Sequence, residues 1–444
     1  MMSGLNTAAL IAADKTHLWH PFTQMKAWSA ADHEPLVLVE GGGAILRDSE
    51  GREYLDGNSS IWTNIHGHGH PKITAAIKDQ LDRVAHVSFL GSSNAPAIAL
   101  AEKLVAAANG REASTERWGQ RFLPLTRVFY SDDGSTAIEV ALKMSLQYWQ
   151  LSGQPQRTHF VAFDNAYHGD TAGASSLGGV GTFTSRFAAV HFPVRHVADI
   201  AALELIETEE IAAIIIEPLV QGAAGIRLWP PGMLRELRAW CDRHDVLLIC
   251  DEVLTGFGRT GRMFACQHED VLPDFLCLAK GLTGGYLPLA ATLTTERIYE
   301  AFLGEYHELK TFFYGHSYCG NPLGCAAALA SLQVFEEEKT LEILQPKIAL
   351  LRELLAGLKE NPHVADIRQC GFIAGIELQR APGEPYPWQD QTGPRVCLAA
   401  RRHGLLTRPI LDTLVLMPPL CISDDQLASC ARAIRKAIAE VCGN

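Results

Sequence analysis

A lysine stands directly after a strongly apolar stretch of the sequence. Residues 275–279 (FLCLA) form the short apolar run that is typical of a buried strand, and Lys280 follows at once. An ammonium group in such a place costs free energy unless it is paired or neutralised. Lys280 therefore either extends to solvent at the strand end or is no longer an ammonium.

A carboxylate closes a second apolar run. The stretch VLLIC (246–250) is followed by Asp251, Glu252 and Val253. If the strand continues, Asp251 and Val253 point to the same face, and a buried carboxylate there needs a cation or a hydrogen-bond donor. An aspartate that only caps the following turn is the alternative.

A third apolar run leads into a helix that begins with small residues. RVFYS (127–131) is followed by two aspartates and then by Gly134, Ser135 and Thr136. Free backbone N–H groups at a helix N-terminus favour phosphate, so this position is a candidate phosphate site. Simple capping of the helix by Ser135 or Thr136 is the alternative.

Together, these strand ends meet the requirements of pyridoxal 5'-phosphate. In open α/β sheets ligands bind at the carboxyl ends of the strands. There, an amine would condense with the cofactor aldehyde, a carboxylate would pair with the pyridine nitrogen and N–H groups would hold the phosphate. Four residues would supply these groups: Lys280, Asp251, Gly134 and Ser135. Val253 would pack against one face of the ring, and Tyr167 of NAYHGD (165–170) would cover the other.

The glycine-rich stretch GFGRTG (256–261) matches the dinucleotide-binding fingerprint. The fingerprint requires a strand before it and an amphipathic helix after it. Here RMFACQHEDVLP shows no helical stripe and soon reaches Pro273. We therefore predict loop glycines and not a nicotinamide site, and leave open whether Arg259 contacts substrate or only supports the turn.

Three histidines alternate with glycines in IHGHGHP (65–71). On an extended strand His66, His68 and His70 could share one face and bind zinc. However, no nearby carboxylate or cysteine completes a metal-binding set. We predict a turn without a metal.

Composition excludes several classes of protein. The chain has 444 residues, and its net charge of -12 without a basic run argues against nucleic acid. The N-terminus lacks the features of a signal peptide, and no apolar stretch approaches the length of a membrane span. Eleven cysteines without a C-x-x-C pair are typical of reduced thiols. We expect a cytoplasmic enzyme that acts on small molecules.

The pattern along the chain predicts an α/β fold. In residues 72–335 short apolar strands alternate with helices, which indicates a large domain with a mostly parallel sheet covered on both faces. Residues 336–444 change style and predict a smaller α+β domain. Residues 1–71 are expected to pack with that smaller domain. The predicted strands of the large domain are 127–131, 159–163, 212–217, 246–252, 274–279 and 289–294.

Several segments resemble the fold-type I, class III (ω-) aminotransferases, over nearly the whole chain. They are SDDGSTAIEVALK, AYHGDT, IIIEPLVQG, CDEVLTGFGRTG and AKGLTGGYLPLA. HLWHPFTQM (17–25), TFFYGHSYCGNPLGCA (311–326) and LLTRPI resemble one group of this family, the adenosylmethionine–8-amino-7-oxononanoate aminotransferases. That resemblance implies a transfer of an amino group to 8-amino-7-oxononanoate, giving 7,8-diaminononanoate for biotin.

The resemblance also implies roles for individual residues. Lys280 would bind the cofactor and move a proton between substrate and cofactor, and Tyr167 would contact both. Arg408 would bind a substrate carboxylate in a bidentate fork, and a surface ion pair is its alternative. The family is homodimeric with shared sites, so His316 and Ser317 would reach the phosphate of a second subunit. Three more residues would line the substrate pocket: Ile61, Trp62 and Gly315.

Three positions depart from the pattern of many adenosylmethionine-using members. Phe22 replaces a tyrosine, Ile61 a tryptophan and His316 a proline. Phe22 lacks the phenolic group that would orient the keto acid, so lysine stands beside S-adenosylmethionine as the amino donor. The alternatives are another class III ω-aminotransferase that acts on a diamine or ω-amino acid, a nicotinamide dehydrogenase built on GFGRTG, and a non-enzymatic binding module.

Overall fold

The computed structural model describes residues 6–110, 116–117, 120–121 and 123–443. The described strands are β1 (Leu38–Gly42), β2 (Ile45–Asp48), β3 (Glu53–Asp56), β4 (Glu116–Arg117), β5 (Gln120–Arg121), β6 (Leu125–Ser131), β7 (His159–Phe163), β8 (Val194–Val197), β9 (Ile211–Ile216), β10 (Val220–Gln221), β11 (Arg227–Leu228), β12 (Leu247–Asp251), β13 (Phe275–Leu278), β14 (Ala290–Thr295), β15 (Val364–Cys370), β16 (Ile373–Leu378), β17 (Leu405–Leu406), β18 (Pro409–Ile410) and β19 (Thr413–Leu416).

The described helices are α1 (Thr7–His17), α2 (Met25–Trp28), α3 (Ser59–Trp62), α4 (Pro71–Leu81), α5 (Ala95–Asn109), α6 (Gly134–Leu151), α7 (Ala172–Ser176), α8 (Gly181–Thr184), α9 (Ile200–Leu203), α10 (Met233–His244), α11 (Glu296–Ala301), α12 (Pro322–Glu337), α13 (Thr340–Ala356), α14 (Thr392–Arg402) and α15 (Asp424–Cys442). Short 3-10 helices span Ser185–Val190, Ala265–His268, Lys280–Thr283, Tyr306–Glu308 and Trp388–Asp390. Each described helix is too short or too polar to span a lipid bilayer.

A seven-stranded sheet with the order β6-β14-β13-β12-β9-β7-β8 forms the centre of the molecule. Its strands are parallel except β14, which runs antiparallel to both neighbours. Strands β9, β12, β13 and β14 are buried along their whole length. This confirms the mostly parallel sheet that the apolar runs predict.

Both faces of this sheet are covered. Along β12, Leu248 and Cys250 belong to one apolar cluster, whereas Leu247 and Ile249 belong to another on the opposite side. This alternation follows from the two-residue period of a strand. These are the two largest apolar clusters of the described residues, one on each face of the sheet. The carboxyl edge of the sheet runs along the boundary between the two faces.

Helix α6 brings its N-terminus to that edge because it follows β6 directly. Asp133 is its N-cap and accepts a hydrogen bond from Thr136 N at 2.9 Å, while Thr136 Oγ1 accepts one from Asp133 N. The N-cap is therefore Asp133, with Thr136 completing a capping box, and Ser135 takes no part in capping the helix. One apolar face of α6 points inward, with Ile138 and Trp149 buried.

A second, smaller sheet joins the two ends of the chain. Strand β3 pairs in parallel with β17, with Leu55 opposite Leu405, in the sheet β1-β2-β3-β17. The antiparallel sheet β15-β16-β19-β18 lies in the last hundred residues. The division of the chain into residues 1–71, 72–335 and 336–444 stays a prediction.

Candidate active site

A cavity of about 650 Å³ lies at the carboxyl edge of the central sheet. Five strands (β6, β7, β9, β12 and β13) contribute lining residues at their ends or within four residues of them. A ligand site at this edge is the arrangement expected of an open α/β sheet. The lining residues at or near the ends of these strands are Asp132, Asp133, Gly134, Ser135, Tyr167, Glu217, Asp251, Val253, Ala279 and Lys280.

Lys280 begins the turn after β13 and has a positive φ of 43°. Its Nζ lies 4.9 Å from the centroid of the Trp62 ring and has no hydrogen-bond acceptor among the described residues. Burial lowers the pKa of Lys280, and the charge of Arg259 acts in the same direction, while Asp251 and Glu217 oppose it. The amine is thus held in an environment that favours its neutral, reactive form.

Asp251 is 4% exposed and faces the cavity from the end of β12. Its Oδ2 lies 2.7 Å from His168 Nδ1, and its Oδ1 accepts a hydrogen bond from Val253 N at 3.1 Å. His168 is itself buried, and its Nε2 has no partner among the described residues. Each carboxylate oxygen keeps a lone pair for a further donor, as the pairing with a pyridine nitrogen would require.

Glu217 closes β9 and lies in the same cavity. Its carboxylate accepts hydrogen bonds from Tyr167 N at 3.1 Å and from Gly222 N at 2.8 Å. Burial raises the pKa of Glu217 to about 7, with a further upward contribution from Asp251, against the opposing effects of His168 and the two N–H donors. Glu217 therefore changes charge near neutral pH beside Lys280.

The N-terminus of α6 lies in the cavity with Gly134 and Ser135. The first N–H groups of a helix have no acceptor within the helix, so they are available to an anion. A Cβ atom on Gly134 would lie only 2.7 Å from Val253 Cγ1, so glycine is required at this position. Ser135 Oγ accepts a hydrogen bond from Asp170 N at 3.1 Å.

Aromatic side chains form the outer wall of the cavity. The Phe183 ring makes edge contacts with Tyr167 at 5.9 Å and with Phe22 at 5.7 Å between centroids. Tyr167 OH donates a hydrogen bond to Asp170 Oδ2, and burial raises the pKa of Tyr167. Ile61 also lines this cavity. These surfaces suit a flat ring and an aliphatic chain.

Arg408 lines the cavity on the side of the C-terminal segment. It is exposed, and its guanidinium forms no ion pair or hydrogen bond with any described residue. The alternative of a surface ion pair is therefore not what the structure shows. The group is free for a carboxylate in the cavity, as a bidentate fork requires.

Gly315, His316 and Ser317 are predicted site residues that do not line the cavity of their own chain. His316 Nδ1 lies 2.9 Å from Asp132 Oδ2, and Asp132 is a lining residue. The prediction assigns His316 and Ser317 to the site of a second subunit, and it stays a prediction.

Arg259 is fully buried outside the cavity lining. Its Nη1 donates to Pro418 O at 2.7 Å and its Nη2 to Asn64 O at 2.8 Å. Burial lowers its pKa to about 9. Arg259 therefore ties the GFGRTG turn to two other segments of the chain through backbone carbonyls. Among the described residues, no amphipathic helix follows that turn directly.

The three histidines of IHGHGHP bind three different partners. His66 Nε2 lies 3.1 Å from Ser331 Oγ, His68 Nε2 lies 3.0 Å from Asp56 Oδ2, and His70 Nε2 lies 3.0 Å from Glu338 Oε1. Across the described ranges no group of three or more metal-binding side chains comes together.

Comparison with known proteins agrees with this geometry. The family model for class III aminotransferases matches residues 28–438. An adenosylmethionine-8-amino-7-oxononanoate aminotransferase of Geobacter sulfurreducens is 46% identical over 100% of both chains. One of Nitratidesulfovibrio vulgaris is 50% identical over 98% of this chain and 82% of its own.

Solved structures give the same result. The crystal structure of adenosylmethionine-8-amino-7-oxononanoate aminotransferase from Methanocaldococcus jannaschii has a TM-score of 0.92 at 42% identity, over 98% of this chain and 99% of that one. An (S)-enantioselective omega-transaminase from Thermomicrobium roseum has a TM-score of 0.91 at 33% identity, over 98% and 99%. The chain belongs to the class III aminotransferases and is an aminotransferase.

Proposed function

We propose that this aminotransferase converts 8-amino-7-oxononanoate to 7,8-diaminononanoate in biotin biosynthesis, with pyridoxal 5'-phosphate as cofactor. The amino donor is S-adenosylmethionine, with lysine as the alternative. The observation that carries the proposal is the Lys280 amine, which has no hydrogen-bond acceptor among the described residues and faces the same cavity as Asp251. The relatives' names and the HLWHPFTQM segment support the acceptor.

The residues in the cavity fit this cofactor. Gly134 and Ser135 would hold its phosphate, Asp251 its pyridine nitrogen and Lys280 its aldehyde carbon. Val253 and Tyr167 would contact the two faces of the ring. When bound, the cofactor supplies an electron sink and carries the amino group from the donor to the acceptor.

The chain's own residues supply the proton transfers. The Lys280 amine would take the proton from the substrate carbon that bears the amino group and pass it to the cofactor, and it would move a proton the opposite way in the second half-reaction. A lowered pKa assists the uptake of the proton. Asp251 would keep a proton on the ring nitrogen of the cofactor, because a carboxylate charge favours the protonated form of that nitrogen. The hydrogen bond from His168 orients Asp251 for this task.

Arg408 would bind the carboxylate of each substrate in turn. The acceptor and both candidate donors carry a carboxylate, and one free guanidinium in the cavity is available for it. This arrangement agrees with a ping-pong mechanism, in which donor and acceptor use one pocket at different times. Ile61, Trp62 and Phe22 would contact the rest of each substrate.

We further propose a homodimer with shared active sites that acts in the cytoplasm. Two stretches expose many apolar side chains, and large exposed apolar surfaces are typical of interfaces. They are Leu81, Val84, Leu90 and Ile98 in one stretch and Tyr306, Leu309, Phe313 and Tyr318 in the other. The second stretch also carries Gly315, His316 and Ser317. All eleven cysteines are free, as in a reducing compartment.

The visible spectrum of the purified protein tests the proposal. We expect an absorption band of bound cofactor that disappears with the true amino donor and returns on addition of 8-amino-7-oxononanoate. Lys280→Ala is expected to keep the fold and to lose turnover by at least about a thousandfold, because no other lysine is among the described residues that line the cavity. Normal turnover in Lys280→Ala would refute the assignment. Turnover of a different diamine, with none of 8-amino-7-oxononanoate, would refute the acceptor.

A further inference from the structure

The backbone just before Thr63 follows a path that L-amino acids rarely adopt. φ is +47° at Ser59, +62° at Ser60 and +67° at Trp62, and ψ at Ser60 is -85°. Such conformations persist only where surrounding contacts hold them, and they concentrate at functional sites. Along this path three consecutive side chains, Ile61, Trp62 and Thr63, line the active-site cavity. Consecutive side chains of a regular strand would point to opposite faces.

The carboxylate of Asp56 holds this path in place. Asp56 ends β3 and is 2% exposed. Its Oδ1 accepts hydrogen bonds from Asn58 N at 3.2 Å and from Ser60 N at 3.0 Å, and its Oδ2 lies 2.8 Å from Ser60 N. The strained backbone is therefore held by hydrogen bonds to the buried side chain of Asp56, which does not itself line the cavity.

His68 orients that carboxylate. Its Nε2 lies 3.0 Å from Asp56 Oδ2, and its Nδ1 lies 3.0 Å from the side-chain nitrogen of Asn64. An imidazole whose Nδ1 accepts a hydrogen bond from an amide keeps its proton on Nε2, where it donates to Asp56. This gives the middle histidine of IHGHGHP a role that does not involve a metal.

The segment ends on the indole that faces the reactive amine. Trp62 Nε1 donates to Asn58 Oδ1 at 2.9 Å, so the ring is fixed by the same short segment that Asp56 fastens. The ring centroid is 4.9 Å from Lys280 Nζ. A displacement of the segment would move the indole and the Ile61 side chain together, because they belong to one turn of backbone.

We propose that Asp56 and His68 are positioning residues that set the substrate-binding wall formed by Ile61, Trp62 and Thr63. We call the hydrogen-bonded pair Asp56 and His68 the clamp. The wall contacts the keto acid, so loss of the clamp weakens substrate binding more than it slows the chemical step. This inference rests on the proposed function, since the substrate in the test is 8-amino-7-oxononanoate. Neither Asp56 nor His68 touches the reacting atoms.

The test compares clamp variants with matched controls in the holoenzyme. Asp56→Ala is expected to raise KM for 8-amino-7-oxononanoate about tenfold with kcat changed by less than about threefold, the pattern of lost uniform binding. Asp48→Ala is the control, because Asp48 is also 2% exposed and accepts hydrogen bonds from the backbone of Glu50 and Arg52, which belong to a turn that does not line the cavity. It is expected to lower stability without changing KM.

The role of His68 is tested with a separate control variant and a rescuing substitution. His68→Ala is expected to raise KM about threefold, and His68→Gln to restore most of it, because a glutamine amide can donate to Asp56. His70→Ala, in the same motif, is expected to leave KM unchanged. Equal KM changes in the His68 and His70 variants would overturn the assignment of His68.

Hydrogen exchange of the peptide spanning residues 57–64 gives a measurement that does not depend on turnover. Its amides are expected to exchange at least about tenfold faster in Asp56→Ala, and at the wild-type rate in Asp48→Ala. Unchanged exchange in Asp56→Ala would overturn the proposal. If Asp56→Ala does not fold, Asp56→Asn replaces it, with a smaller expected rise in KM. If wild-type protein does not turn over 8-amino-7-oxononanoate, the proposed function fails. Hydrogen exchange of residues 57–64 then still tests whether Asp56 holds this segment.

Discussion

At the scale of single residues, the cavity combines one amine with two buried carboxylates and one buried histidine. Asp251 is tied to His168, whereas Glu217 is tied to backbone N–H groups. Both carboxylates raise the pKa of Lys280, and burial together with Arg259 lowers it. The effect of Glu217 on the pKa of Lys280 depends on pH, because Glu217 gains its negative charge near pH 7. That charge favours the protonated form of the Lys280 amine.

Glu217 predicts a pH-dependent stability. Its pKa is about 7 in the folded chain against 4.5 ordinarily, so the folded state holds more protons between these values. Stability therefore falls as the pH rises from about 4.5 to about 7. Glu217→Gln removes this slope, so the melting temperature of wild type minus that of Glu217→Gln is expected to fall from pH 5 to pH 8. The exposed Glu209→Gln is the control, and a pH-independent difference would contradict the prediction.

The sequence located part of the site because a strand end can be recognised by its apolar run. Lys280 and Asp251 each follow such a run, and both line the cavity. Glu217 carries the same signal, because this carboxylate directly follows the apolar run AAIII (212–216). His168 could not be found in this way, because its partner Asp251 lies at the end of β12, two strands away from β7 with β9 between them. Which strands are neighbours is set by tertiary packing.

At the scale of elements, the phosphate end of the site depends on how closely α6 approaches the chain after β12. Val253 is held by its N–H bond to Asp251, and its side chain fills the space beside Gly134. The apolar runs predict the strands of this region, β6 and β12, because long apolar runs dominate local structure. The alternative of a cap by Ser135 or Thr136 is wrong, since several polar residues compete for this position and only the geometry identifies Asp133 as the N-cap.

Gly134→Ala tests this close approach. The new Cβ would lie 2.7 Å from Val253 Cγ1, so Val253 or the helix start must move and the phosphate donors shift. We expect at least about a tenfold loss in cofactor affinity with the fold retained, because alanine favours a helix over glycine. Absorbance titration measures the affinity. Gly181→Ala is the control, since Gly181 also begins a helix and a Cβ there meets nothing within 4 Å. Equal affinities in the two variants would contradict the prediction.

At the scale of the whole molecule, three predicted site residues lie outside the cavity of their own chain. The segment with Gly315, His316 and Ser317 lies outside the cavity, in a stretch with exposed apolar side chains such as Phe313. His316 touches Asp132 of its own chain. In the proposed dimer with shared sites, His316 and Ser317 serve the cofactor site of a second copy.

Mixing two inactive variants decides between these arrangements. Lys280→Ala lacks the amine, and a double variant, His316→Ala with Ser317→Ala, is expected to lose most cofactor affinity. If sites are shared, a mixed dimer has one site with an intact Lys280 from one chain and an intact His316 and Ser317 from the other. Random pairing makes half of the dimers mixed, so activity is expected to recover to about a quarter of wild type after subunit exchange. If His316 and Ser317 instead serve their own chain, every site lacks one component, and the mixture stays as inactive as its parts.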